Sequence, residues 1–327
     1  MFSDGKFSGT TFTKKATLLS SILVYLAIFI VSLAVLLFSS DKFIDSAERL
    51  GLSFGISPFI IGVTIVAFGT SLPELATSIA SVISGSSEIV IGNVIGSNIT
   101  NILLVLGLTA VIGKEIKLDF NVMDVDMPLL LMSGVFLYFF AGDMNFTLVE
   151  ACMCLGALLI FLINSTQGQK SDADSRPPTN PLDLIWVALG AIGVFAGAHY
   201  TIYAIENVSK LLDISPDLIA LTVVALGTSL PEVVVSIAAV RKGKHAIAVG
   251  NVLGSNIFNT YAVMGIPRFF GDLTINNEIV SFGLPFMIAV SFLFALVTFS
   301  NKISRWEGAM LILFYVYYII QLITNNA

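Results

Sequence analysis

The sequence predicts an all-α membrane protein of ten transmembrane helices, arranged as two inverted five-helix repeats with broken helices 2 and 7. Three observations predict it. Of 327 residues, 56% are hydrophobic and only 12% charged, which suits a bilayer rather than a soluble core. Apolar stretches near the ~20 residues that a span needs recur ten times. One acidic motif, Gly-Thr-Ser-Leu-Pro-Glu, occurs at 69–74 and again at 227–232.

The ten spans are read at 18–40, 56–84, 88–111, 125–142, 146–164, 182–206, 214–240, 245–266, 278–299 and 305–323. The first 17 residues are polar, with Lys14 and Lys15 before an apolar run. That run is longer than a typical signal h-region and lacks a clear small-residue cleavage site, so it is read as an uncleaved first helix. Residues 165–181 are polar and proline-rich and read as a cytoplasmic linker. It separates an N-terminal transmembrane repeat (1–164) from a C-terminal one (182–327). Little chain remains for a soluble domain, and no basic or aromatic-basic pattern suggests nucleic acid. The adjacent thiols Cys152 and Cys154, at i and i+2 on a helix, do not face each other and are read as buried, not as a metal pair or a disulfide.

The repeat is more than the motif. Residues 64–101 and 222–259 match at 23 of 38 positions without gaps. The same 158-residue offset aligns Glu48 with Glu206 and Ile56-Ser57-Pro58 with Ile214-Ser215-Pro216. Five spans per half is an odd number, so the second half enters the membrane from the opposite side. Many secondary transporters are built this way, with the site near the midplane at the repeat interface. Lys and Arg fall eleven to one side (Lys42, Arg49, Lys114, Lys117, Lys170, Arg176, Arg241, Lys242, Lys244, Lys302 and Arg305) and five to the other. The positive-inside rule makes the majority side cytoplasmic and puts both termini outside.

The motif residues carry the chemistry. Pro73 and Pro231 each remove a helical hydrogen bond in mid-span, freeing carbonyls near Gly69 and Gly227. Irregular backbone is tolerated at membrane depth only when buried in protein or lining a cavity. Glu74 and Glu232 add two carboxylates, and an intramembrane carboxylate costs about 2.5–3.5 kcal/mol on insertion scales. Thr70, Ser71, Thr228, Ser229, Ser97, Ser255, Asn101 and Asn259 supply neutral oxygens. Such a set suits a hard cation, Ca²⁺ taking 6–8 oxygens; with no Cys or His in it, softer ions are disfavoured. Glu74 precedes Ser97 by 23 residues and Asn101 by 27, and Glu232 precedes Ser255 and Asn259 by the same numbers. A helical hairpin in each half therefore returns Ser and Asn to the depth of Glu. Ser97 and Asn101 are i, i+4 on one face, as are Ser255 and Asn259. Gly92 and Gly96, and Gly250 and Gly254, fit close helix packing rather than ligation. Asn93, Asn98, Asn251 and Asn256 are read either as interhelical glue or as support for the ligands. Glu48, Glu206, Glu150 and Glu307 are read as interfacial, His199 as a packing residue and His245 as loop.

The paired motifs resemble the two α-repeats of the cation/calcium exchanger superfamily, and are most similar to its compact prokaryotic sodium/calcium exchangers. The resemblance covers essentially the whole chain. It implies that Glu74 and Glu232 are central carboxylates shared by Ca²⁺ and Na⁺. It implies that Thr70 and Thr228 give backbone and hydroxyl oxygens, and that Ser71, Ser97, Ser229 and Ser255 line sodium sites with the carbonyls of Ala67 and Ala225. Asn101 and Asn259 flank the centre. Some archaeal members and the potassium-dependent branch carry Asp where this chain has Asn259, so two carboxylates and potassium independence are expected. The large regulatory loop of animal exchangers is absent.

The expectation is therefore a secondary antiporter, not an enzyme, with Ca²⁺ and Na⁺ as substrates, the bilayer as its environment, no cofactor and no obligate protein partner, in a prokaryotic inner (plasma) membrane. The nearest alternative is a Ca²⁺/H⁺ antiporter using the same carboxylates, since neighbouring buried carboxylates exchange protons as well. The Gly-Asn-x-x-Glu type of motif typical of the proton-coupled branch is missing. A channel fits an inverted repeat with an occluding centre less well, and no nucleophile–base pair supports an enzyme.

Overall fold

The computed structural model describes residues 7–118, 126–168, 178–212, 227–275 and 279–325. In chain order the main helices are α1 (Phe7–Ser53), α2 (Pro58–Thr70), α3 (Leu72–Ile83), α4 (Glu88–Gly113), α5 (Asp126–Phe140), α6 (Leu148–Gly168), α7 (Pro181–Leu211), α8 (Leu230–Arg241), α9 (His245–Phe258), α10 (Leu284–Thr298) and α11 (Arg305–Asn325). Wide π turns interrupt α2 at Gly62–Val66 and α4 at Asn101–Leu106, and extend α9 through Asn259–Val263. Among the described residues, six helices are long and apolar enough to cross a membrane, or seven when the bent pair α2–α3 counts as one. The protein is a multi-pass integral membrane protein. Of the ten expected spans, the first half of the seventh, 214–226, lies outside the described residues and its second half holds α8, while α5 and α9 are short segments.

The first span differs from expectation. It was expected to end near residue 40, yet α1 continues helically to Ser53. The extension carries Asp41, Asp45, Glu48 and Arg49, which are not apolar but are compatible with a helix when partnered. Lys242 pairs with Asp41 and Asp45 at 3.1 and 2.9 Å, Lys244 with Asp45 and Glu48 at 2.6 and 2.8 Å, and Arg49 with the buried Asp183 at 2.8 Å. Lys242 lies in the loop after α8; burial opposes its charge, but the bonds to Asp45 and Asp41 outweigh that and raise its pKa.

α1 and α7 pack along their lengths in opposite directions. Ser32 meets Thr201 (Oγ···Oγ1 2.9 Å), Gly197 abuts Leu36, Gly190 abuts Phe43, and Arg49 meets Asp183. A methyl group at Gly190 or Gly197 would lie 2.8 Å from the facing helix, so these small residues let the two backbones approach. The 158-residue offset carries position 32 of α1 to 190 of α7, and the two helices lie antiparallel.

Two short ribbons repeat this relation. Strand β1 (Glu115–Lys117) pairs antiparallel with β4 (Lys302–Ser304), and β2 (Asn145–Phe146) with β3 (Leu273–Thr274). Shifting Glu115↔Ser304 and Ile116↔Ile303 by the offset, forward in one strand and back in the other, gives Phe146↔Leu273 and Asn145↔Thr274, the observed register. The first ribbon sits at one end with Lys114, Lys117, Lys302 and Arg305; His245 accepts the Lys117 backbone N–H there at 3.3 Å. His245 opens α9 rather than lying in a loop. The other end holds Arg268, bonded to the Phe146 carbonyl and paired with Asp272. Glu150 and Glu307 cap helices instead of standing free. Each accepts a backbone N–H at the helix start, from Thr147 and Ser304 at 2.6 and 2.7 Å, completing capping boxes. Cys154 is buried but Cys152 is exposed, because i and i+2 point to different faces of α6.

Candidate cation site

α2 and α3 meet at a 41° bend, and proline causes it. Pro73 cannot donate back to Gly69, so the chain kinks at Ser71 (φ −84, ψ 4) and α3 restarts with Pro73 and Glu74 in its first turn. The second copy repeats this to the degree. Ser229 has φ −84 and ψ 4, and Pro231 and Glu232 open α8. Each carboxylate thus lies at a helix N-terminus, where the unpaired N–H groups and the dipole favour negative charge.

α4 and α9 return past these breaks, as the 23- and 27-residue spacings require. Glu74, Glu232, Thr70, Ser255, Asn101 and Asn259 are fully buried, and Ser71, Ser97 and Ser229 nearly so. Hydrogen bonds join the two halves. Thr70 meets Ser255 at 3.3 Å, and its counterpart Thr228 meets Ser97 at the same distance. Ser71 donates to Glu232 Oε1 at 3.4 Å. The structure therefore brings Thr70, Ser71, Ser97, Thr228, Glu232 and Ser255 together across the repeat boundary. Ala67 is buried beneath Thr70, its carbonyl accepting the Ser71 N–H at 3.0 Å and the Thr70 hydroxyl at 3.2 Å. Ala225 lies outside the described residues.

Both oxygens of Glu74, Oε2 of Glu232, Oδ1 of Asn101 and both amide atoms of Asn259 are buried with no hydrogen-bond partner among the described residues. Buried polar groups are nearly always paired, and unpaired ones are costly. Asn98 Oδ1 and Ser165 Oγ are the other two such atoms among the described residues; six of the eight fall on the four residues Glu74, Glu232, Asn101 and Asn259. Among the described residues, no group of three or more His, Cys, Asp or Glu is placed to hold a metal ion. The chemistry on offer is therefore two carboxylates with neutral hydroxyl and amide oxygens, a set of hard donors.

The asparagines left undecided by sequence have definite partners. Asn93 donates to the Glu74 carbonyl (3.2 Å) and to Ser78 (3.0 Å). Asn251 donates to Ser236 (3.0 Å) and accepts from Thr70 (3.0 Å). They tie the first two turns of α3 to α4, and the second turn of α8 and the end of α2 to α9. Ser78 and Ser236 were missed, although both stand at matching positions of the repeat. Gly250 packs against α2, where a methyl group would lie 2.6 Å from the Phe59 carbonyl, and Gly254 abuts Val63, as the small-residue spacing predicts; at Gly96 the expectation fails, since nothing lies within 4 Å of a methyl group there.

The comparisons with known proteins agree with this arrangement. The family model described as sodium/calcium exchanger protein matches residues 24–167 and 182–324, one match to each half. The sodium/calcium exchanger MaX1 of Methanosarcina acetivorans is 32% identical over 92% of this chain and 99% of its own length. The inner membrane protein YrbG of Escherichia coli is 32% identical over 88% of this chain and 92% of its own. Among solved structures, the sodium-calcium exchanger NCX_Mj superposes with a TM-score of 0.80 at 32% identity, over 91% of this chain and 98% of that one. With both halves matched and the likeness running nearly end to end in sequence and structure, this chain belongs to the sodium/calcium exchanger protein family.

Proposed function

We propose that the protein is a secondary antiporter that exchanges Ca²⁺ for Na⁺ by alternating access, through one central site shared by both ions. The observation that carries this reading is the set of partnerless buried oxygens on Glu74, Glu232, Asn101 and Asn259, drawn from both halves. In this site Glu74 and Glu232 are the carboxylates common to both ions. Thr70, Ser71, Ser97, Asn101 and Ala67 complete the first half's oxygens, and Thr228, Ser229, Ser255, Asn259 and Ala225 the second's. Two carboxylates neutralise one Ca²⁺, or share several Na⁺ with neutral oxygens. Because both cargoes need the same glutamates, occupancy is exclusive, and exclusive occupancy couples the two fluxes. If more than two Na⁺ replace one Ca²⁺, net charge moves, and the membrane potential adds about 2.3 kcal/mol per charge per 100 mV.

The architecture that goes with this reading is ten spans in two inverted repeats, 1–164 and 182–327, joined by a cytoplasmic linker at 165–181. The antiparallel packing of α1 on α7 and the matching register of the two ribbons support it. Gathering Lys114, Lys117, Lys242, Lys244, Lys302 and Arg305 at one end supports a cytoplasmic assignment for that end, with both termini outside. A prokaryotic inner membrane is the expected location.

The test is ⁴⁵Ca²⁺ uptake into proteoliposomes loaded with Na⁺ or with choline, and then with an imposed pH gradient. Uptake that requires internal Na⁺ is expected. Uptake driven by the pH gradient without Na⁺ would replace the counter-ion by H⁺ and keep the carboxylates.

Asn259→Asp provides a further prediction. A third carboxylate leaves the Ca²⁺-loaded site with net negative charge, so an extra monovalent cation becomes favourable. The variant's Ca²⁺ transport is expected to gain a dependence on K⁺ beside its requirement for Na⁺, measured as uptake across a cation series. An unchanged ion profile would place Asn259 outside the site.

A further inference from the structure

Asn98 and Asn256 occupy matching positions, three residues before Asn101 and Asn259, yet they are bonded differently. Asn256 donates Nδ2 to the backbone carbonyl of Asn98 at 3.3 Å. A carbonyl can only accept, so the amide nitrogen of Asn256 must face it and its Oδ1 must face away. That oxygen receives Nδ2 of Asn101 at 3.0 Å. Asn101 is fully buried, and its remaining polar atom, Oδ1, has no partner among the described residues. An amide presents either a donor or an acceptor depending on which way it is turned. Here a fixed acceptor orients Asn256, Asn256 orients Asn101, and only an oxygen is left over.

We propose that Asn256 is a positioning residue for the cation site, acting through Asn101 by holding its Nδ2 and so reserving its Oδ1 for the cation. The proposal rests on the shared-site reading above. Without Asn256, the Asn101 amide is free to turn its NH₂ toward a cation, which repels it.

The other half lacks this device, and its amides are held differently. Thr260 donates its single hydroxyl proton to the Asn256 carbonyl at 3.0 Å, so it accepts Nδ2 of Asn98 at 2.9 Å. Ile102 stands at the matching position of the first half and has no hydroxyl. Thr260 thus fixes Asn98, while Asn98 Oδ1 and both amide atoms of Asn259 keep no partner among the described residues. The two flanking amides are therefore unequal: Asn101 is oriented in advance and Asn259 is not.

The test compares Asn256→Leu, Asn101→Ala and the double variant by Na⁺-driven ⁴⁵Ca²⁺ uptake, reading KM and kcat separately. Asn256→Leu is expected to raise the Ca²⁺ KM by up to about tenfold, the equivalent of one neutral hydrogen bond, with kcat within about twofold. Asn101→Ala is expected to raise KM at least as much. The double variant is expected to be no worse than Asn101→Ala, because a residue acting through Asn101 has nothing to act on once Asn101 is gone. Asn256→Ala removes the same acceptor with less bulk and carries the test if the leucine variant does not reach the membrane. A silent Asn101→Ala would overturn the site reading itself. A raised KM in Asn101→Ala, with Asn256 variants that leave KM unchanged or add their full effect in the double variant, would overturn the positioning role and leave the site standing.

Discussion

Glu74→Gln and Glu232→Gln are each expected to abolish Na⁺-driven Ca²⁺ uptake, while the protein still reaches the membrane and elutes as a single species. Gln keeps the size of Glu and one oxygen, so packing around α3 and α8 is preserved and only charge is lost. Removing one member of a buried charge pair costs about 3–5 kcal/mol, or a loss of at least about 10²-fold in affinity. The two carboxylates lie on different halves, each in the first turn of a helix restarted by proline. Neither therefore substitutes for the other, and each single variant is expected to be as inactive as the double. Uptake retained in both single variants would end the shared-site account.

Gly250→Val has the largest expected effect on folding. The α9 backbone crosses α2 so closely that a methyl group at Gly250 would lie 2.6 Å from the Phe59 carbonyl oxygen and 3.0 Å from the Val63 nitrogen. One at Gly62 would lie 2.5 Å from the Ile247 carbonyl oxygen. These neighbours are backbone, and backbone inside a helix cannot rotate aside. Overpacking against mobile side chains costs about 1–3 kcal/mol, so valine here is expected to exceed that range and to separate α9 from α2. Because Thr70 on α2 meets Ser255 and Asn251 on α9, the site is expected to fail with the fold. Thermal stability in detergent reads the effect, with Gly156→Ala as control, since nothing lies within 4 Å of a methyl group there. A Gly250→Val protein as stable as the control would contradict the close crossing.

Much of the site is legible in the sequence because the repeat prints each key residue twice at one offset. Glu74 with Glu232, Ser97 with Ser255 and Asn101 with Asn259 can be paired by eye, and helical geometry then brings them to one depth. What differs between the halves is not legible that way. Thr260 against Ile102 reads as an ordinary mismatch, and only the hydrogen bonds reveal that it fixes Asn98. The length of α1 was also hidden. Hydropathy marks where apolar residues stop, but Asp41, Asp45 and Glu48 stay helical because Lys242 and Lys244, some two hundred residues later, neutralise them. The two ribbons were missed for a related reason. Strands of two or three residues have no periodicity to detect, and each partner lies more than a hundred residues away.

The central claim is that Ca²⁺ and Na⁺ compete for one set of oxygens contributed by both halves. Equilibrium ⁴⁵Ca²⁺ binding to the purified protein, titrated with NaCl at ionic strength held constant by choline chloride, tests it most directly. Complete and cooperative displacement of Ca²⁺ by Na⁺, with choline inert, is the predicted result. Ca²⁺ that stays bound at saturating Na⁺ would mean separate sites and would contradict the account.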